Sequence, residues 1–172
     1  IMEKCRIDFE EVAIRQSILG TLARYCRALD RMDAKLFEGL WHPDATVDYE
    51  GLYEGPVAGL REYLWKTHAS MAVHSHQIAN VEIRSEDGLI LSEAYVTVHL
   101  WTLPDPDGRQ VEVLSRGRYL DRWDLGEGLC RILRRVHLAD MQSFRPLESG
   151  RTDPGAKRDS TDRSYKFFSG EF

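Results

Sequence analysis

The chain has 172 residues, enough for one well-filled core and too few for two at the usual domain size of ~100 to 150 residues. Its net charge of -5 leaves no basic footprint for nucleic acid, and no stretch reaches the ~20 apolar residues of a membrane span. The opening Ile1-Met2-Glu3-Lys4-Cys5 lacks the apolar run of a secretory signal, and Cys5, Cys26 and Cys130 share no CxxC spacing, so the expected setting is cytoplasmic with reduced thiols.

Asp8-Phe9-Glu10-Glu11 has the form of a helix start, a capping carboxylate with Glu three residues on. Ile18, Leu22, Tyr25 and Leu29 then recur at helical spacing, which predicts an amphipathic helix from Phe9 to Asp30. Asp30 thus falls at the helix's C-terminal end, where the dipole disfavours a carboxylate and a functional reason is worth seeking. Asp33 is placed to cap a short helix over 34–40, which His42-Pro43-Asp44 breaks. Residues 45–50 read as a strand with Val47 and Tyr49 on one face, and Gly55-Pro56 opens a helix that turns Val57, Leu60, Leu64 and Trp65 inward.

The pattern then changes to long strands, 73–84, 89–103, 110–124 and 129–142, separated by turn sequences such as Glu86-Asp87-Gly88 and Pro104-Asp105-Pro106-Asp107-Gly108. Helices first and an antiparallel meander second predict an α+β fold: helices packed on one face of a strongly curved antiparallel sheet. Residues 8–144 form this domain. From 145 to 172 the chain turns polar and punctuated by Gly and Pro, so an irregular tail is expected. Its end carries Tyr165, Phe167, Phe168 and Phe172, enough apolar surface to dock over a pocket mouth or on a neighbouring subunit.

Chemistry concentrates in His74-Ser75-His76-Gln77-Ile78-Ala79-Asn80. On a strand, the period of two sends His74, His76, Ile78 and Asn80 to one face and Gln77, Ala79, Val81 and Ile83 to the other. Two imidazoles two residues apart can reach one metal ion, but the carboxylate a cupin-like site would need four or five residues beyond His76 is replaced by Asn80 and Val81. No set of three or four ligands converges, so no metal is expected. The bland alternative is a strand histidine in a satisfied core hydrogen bond. The catalytic reading combines Asp30 at a helix end, His76 and Asn80 on one strand face, and Tyr25, Tyr49, Trp65 and Trp101 around them.

The order of helix, Tyr25-x4-Asp30, "HPDATVDY", Gly-Pro helix, "HSHQIAN" and meander resembles the SnoaL-like branch of the nuclear transport factor 2-like superfamily, over residues 8–144. The resemblance implies an α+β cone enclosing a pocket, commonly in dimers or trimers, and an Asp-His dyad that works without cofactor or metal. It matches Asp30 to the dyad carboxylate and His76 to the imidazole. Tyr25 and Tyr49 match substrate-binding tyrosines, His99 a second ionisable residue, and Arg135, or Arg134 beside it, a pocket arginine. The expected activity is a cofactor-free lyase, with an isomerase or hydrolase in the same pocket, or a non-catalytic assembly subunit such as the small subunit of ring-hydroxylating dioxygenases, as alternatives. Tyr25, Trp41, Tyr49, Tyr53, Trp65 and Trp101 point to a hydrophobic aromatic or polycyclic small-molecule substrate. Leu114, Leu120 and Leu133, spread with Trp101 over the strands, point to a homo-oligomer, a dimer or trimer.

Overall fold

The computed structural model describes residues 8–171, so Cys5 and Phe172 lie outside the described residues. The Asp8 carboxylate accepts the main-chain N–H groups of Glu10 and Glu11 at 2.9 and 3.3 Å and starts helix α1 (Phe9–Asp30). Ile18, Leu22, Tyr25 and Leu29 face the core, as the helical period requires. Met32 takes a positive φ of 50°, and the Asp33 N–H returns to the Ala28 carbonyl at 2.8 Å, which closes the helix end. Asp33 caps α2 (Ala34–Glu38) through the Leu36 N–H at 2.9 Å.

Next come β1 (Trp41–Tyr49), β2 (Tyr53–Pro56), α3 (Val57–His68), β3 (Met71–Glu86), β4 (Leu89–Thr102), β5 (Val111–Asp124), a 3-10 turn and β6 (Arg131–Pro146). Helix α2 ends before His42-Pro43-Asp44, as expected, but at Glu38, and these three residues already lie within β1. The β1–β6 register shifts between Trp41 and Thr46, so the N–H that Pro43 lacks falls where the ladder is interrupted. The short strand β2 was not foreseen; it pairs with β1 from Thr46↔Pro56 to Tyr49↔Tyr53.

One open sheet of six strands results, in the order β2-β1-β6-β5-β4-β3. It is mixed, not wholly antiparallel: α3 carries the chain to β3 at the far edge, and the meander from β3 returns β6 beside β1 in the same direction. The inner face buries Ala94 and Val96 of β4, Tyr119 and Trp123 of β5 and Ile132 of β6 against α1 and α3. Each such large apolar side chain contributes ~1.5 to 3 kcal/mol on burial.

The segment after β6 is largely irregular but includes a short helix, α4 (Arg163–Ser169). It is held by polar contacts, and within the single chain Phe167 and Phe168 are 59% and 74% exposed. Arg31 reaches the Lys157 carbonyl at 2.7 Å, Arg27 the Ser164 hydroxyl at 3.0 Å, and the Tyr165 hydroxyl donates to Asp33 at 2.7 Å. These anchors surround the C-terminal end of α1. No helix among the described residues is long and apolar enough to cross a membrane.

Candidate active site

β3 is an edge strand, so one side of its backbone has no strand partner. The end of α1 covers that side. Asp30 accepts the main-chain N–H of His76 with Oδ1 at 3.1 Å and Oδ2 at 3.2 Å, while Oδ1 also lies 2.6 Å from His76 Nδ1. A carboxylate set against the helix dipole thus gains hydrogen bonds that offset the dipole's cost. Because Asp30 accepts at Nδ1, the proton of a neutral His76 sits there and the lone pair is left on Nε2, which makes no hydrogen bond among the described residues. Both side chains are largely buried, with 4% of the His76 and 16% of the Asp30 side chain exposed.

His74 points the same way and its Nδ1 bonds the Leu29 carbonyl at 3.2 Å, one residue before Asp30. The His68 ring, from the last residue of α3, meets that of His74 with centroids 4.2 Å apart. Burial, and then neighbouring positive groups, push His68 and His74 down to about 3, so both are neutral at physiological pH.

A second polar group lies deeper. The Tyr25 and Tyr49 hydroxyls are 2.7 Å apart. Arg135 forms a bidentate pair with Asp121, Nε to Oδ1 and Nη2 to Oδ2 both at 2.7 Å, with neither side chain exposed. Its guanidinium lies 3.9 Å from the Tyr119 ring centroid and 4.2 Å from that of Tyr25, in the corner formed by these two near-perpendicular rings. His137 stacks on Tyr49 at 4.9 Å and is held down to about 4 by burial and by the Arg135 charge.

Several expected site residues are placed elsewhere. Arg135 is sealed in the core, with Nε and Nη2 engaged by Asp121 and Nη1 buried without a partner; Arg134 is exposed. Tyr25 has no exposed surface and uses its hydroxyl on Tyr49, which makes it a support for Tyr49. Asn80 does not share the face of His76. It takes a positive φ of 47° in a bulge between Ala79 and Glu82 and is exposed, and the extra residue flips the alternation so that Val81 and Ile83 turn inward after Ile78. His99 and Trp101 are on the opposite face of the sheet, because His76 is registered with Val98. There His99 Nε2 pairs with Glu112 at 2.7 Å and Trp101 lies against Gly150. Trp65 packs edge-on to Phe37 at 5.4 Å.

Apolar side chains do lie on the inner face near His76, but they are residues that were not singled out. Register places His76, Val98, Ser115 and Gln142 in one row and His74, Leu100, Val113 and Phe144 in the next. Phe144 is 66% exposed and Val98, Leu100 and Val113 are partly exposed. Tyr119, Asp121 and His137 were also missed, although Tyr119-x-Asp121-x-Trp123 and Arg135-x-His137 carry the strand period that turns them inward. Among the described residues no group of three or more His, Cys, Asp or Glu is arranged to hold a metal ion.

The SnoaL-like domain family matches residues 10–136, most of the chain. The chain belongs to that family. A search of curated proteins by sequence gave no match. Among solved structures, a type 2 hexachlorocyclohexane dehydrochlorinase is similar with a TM-score of 0.69 at 16% identity, covering 86% of this chain and 98% of that one. A Novosphingobium aromaticivorans protein provisionally assigned as a scytalone dehydratase gives 0.69 at 15% identity, covering 83% and 97%. A second protein of that organism, provisionally assigned as an aromatic ring hydroxylase, gives 0.63 at 24%, covering 82% and 96%. At these identities the likeness establishes the shared α+β fold of this SnoaL-like chain, and the chemistry has to be argued from its own residues.

Proposed function

We propose that this SnoaL-like protein is a cofactor-free lyase in which His76 is the base and Asp30 its orienter. The observation that carries the reading is the 2.6 Å contact between Asp30 Oδ1 and His76 Nδ1. It directs the basic lone pair of Nε2 away from the carboxylate, and an imidazolium formed at Nε2 would remain paired with Asp30. The fold shared with a dehydrochlorinase and a provisional dehydratase supports elimination as the reaction class.

In the proposed step Nε2 takes a proton from a carbon next to a carbonyl or conjugated to a phenol. The C–H electron pair becomes the new C=C bond, and the bond to the β-leaving group breaks with its electrons going to that group. A departing hydroxide takes the proton back from the imidazolium and leaves as water; a halide leaves as the anion. Tyr49, backed by Tyr25, and neutral His137 supply hydrogen bonds toward negative charge developing on the substrate. The partly exposed inner-face residues Val98, Leu100, Val113 and Phe144, from two adjacent rows, favour a hydrophobic aromatic or polycyclic substrate.

Purified protein incubated with a panel of β-hydroxy and β-halo aromatic carbonyl compounds should release water or halide with formation of a conjugated product. Reaction by the wild type and by His76→Ala at equal rates would remove His76 from the chemistry. Return of the proton to a different carbon, with no group released, would place the protein among isomerases.

A further inference from the structure

Arg158 belongs to the segment after β6, yet its guanidinium reaches the site. Nη1 donates to the Met71 carbonyl and Nη2 to the His68 carbonyl, the latter at 2.7 Å, so one side chain clamps the end of α3 to the start of β3. Three buried nitrogens beside this clamp have no partner: Arg158 Nε, His68 Nδ1 and His74 Nε2. His68 and His74 are 7% and 6% exposed. Their chemistry is complementary. His74 Nδ1 faces a carbonyl and so carries the proton, which leaves Nε2 an acceptor, whereas Arg158 Nε–H can only donate.

The rest of the segment grips the residues that follow Asp30. Arg31 donates to the Lys157 carbonyl at 2.7 Å and lies 3.8 Å from Asp162, whose other contacts include the Lys157 N–H at 2.8 Å. Tyr165 donates to Asp33. We infer that residues 157–165 form a wall of the Asp30–His76 site, and that Arg158 is a positioning residue that keeps His74 in its Nδ1–H form against the Leu29 carbonyl and so fixes Asp30 against His76. The catalytic half of this inference rests on the function proposed above.

The charge arrangement supplies a reason for a cation here. Asp30 and Cys26 come from α1, His68 from α3, His74 and His76 from β3, His137 from β6, and Arg31 is already engaged by Asp162. Asp30 pairs with His76 Nδ1, and its charge also favours the cationic form of Arg158. The Arg158 charge disfavours an imidazolium at either position, in addition to the larger effect of burial. His76 is thereby left as the imidazole paired with Asp30.

The test is an NMR titration of the imidazoles in the full chain, wild type against Arg158→Gln and Arg158→Lys, with circular dichroism to establish folding. In the wild type, the nitrogen shifts of His74 should report a neutral ring protonated at Nδ1, with no titration near 6.5. A wild-type His74 protonated at Nε2, or titrating as an ordinary histidine, would overturn the proposal without any variant. In Arg158→Gln the titrations of His68 and His74 should move upward and the His74 nitrogen pattern should change, while Arg158→Lys, which keeps the charge, should hold both titrations low. Unchanged spectra in a folded Arg158→Gln would refute the role. On a turned-over substrate Arg158→Gln should lower kcat about tenfold with little change in KM, the scale of a modest misplacement of a reacting group. The spectra need no substrate, so their outcome stands apart from whether Asp30 and His76 perform the proposed elimination.

Discussion

Asp30 holds His76 at two levels: Oδ1 meets the ring at Nδ1, 2.6 Å away, and both carboxylate oxygens accept the main-chain N–H of the same residue. The side chain of a helix-terminal residue therefore replaces the strand partner that edge strand β3 lacks at this point. Ring orientation and backbone position are fixed by one group, which is the arrangement a base needs if its lone pair is to be aimed.

The buried Arg135–Asp121 pair should behave as a structural element. Replacing Asp121 by Ala leaves a guanidinium fully buried between Tyr25 and Tyr119 with no carboxylate, and a loss of ~3 to 5 kcal/mol is expected. Urea unfolding followed by tryptophan fluorescence measures it. A loss below ~1 kcal/mol, the size of a surface pair, would mean that the core rearranges or admits water.

Stability should fall on mild acidification, before carboxylates titrate. Burial first, with neighbouring positive groups adding to it, lowers His68 and His74 to about 3 and His137 to about 4, below the ~6.5 of an unfolded chain. Groups depressed in this way bind protons more readily when unfolded, so stability rises with pH up to ~6.5 and is lost as the pH drops from there toward 4. Asp162 acts in a lower window. Burial works to raise it, but hydrogen bonds from Ser164 and Lys157 and the charge of Arg31 outweigh burial and hold it at about 2, so its contribution is present above ~3.9 and fades below that. Thermal midpoints at pH 7.5, 6, 5 and 4.5 check the histidine window; a flat series would contradict the assigned burial.

Much of this was legible in the sequence, for identifiable reasons. α1, α3 and the four long strands follow from their helical and strand periods, and Asp30 with His76 from residue types at a helix end and on a strand. The parity of Asn80 was lost to a bulge, since one extra residue reverses every following side chain and no Gly marks the site. His99 and Trp101 were placed by motif position, and the register with β3 turns them outward. Arg158 was invisible because its partners, the carbonyls of His68 and Met71, are backbone groups that sequence does not distinguish.

Assembly through the outer sheet face is the expected state in solution. Leu91 and Tyr95 are 46% and 45% exposed there, beside a groove of about 540 Å³ lined by Leu91, Glu93, Leu120, Arg122, Arg134 and Val136. Light scattering coupled to size exclusion should give a dimer or trimer, shifted toward monomer by Leu120→Lys. A monomer at ~100 μM, well above the affinity of a stable interface, would show that this face is free.

The central claim is that Asp30 and His76 act as one unit, and a double-mutant cycle on a turned-over substrate tests it most directly. Asp30→Asn and His76→Ala should each lower kcat by ~10²-fold or more, and the double variant should be little worse than His76→Ala, because an orienter has nothing to orient once the base is gone. Folded variants that keep the wild-type rate, or losses that multiply as for independent groups, would contradict the account.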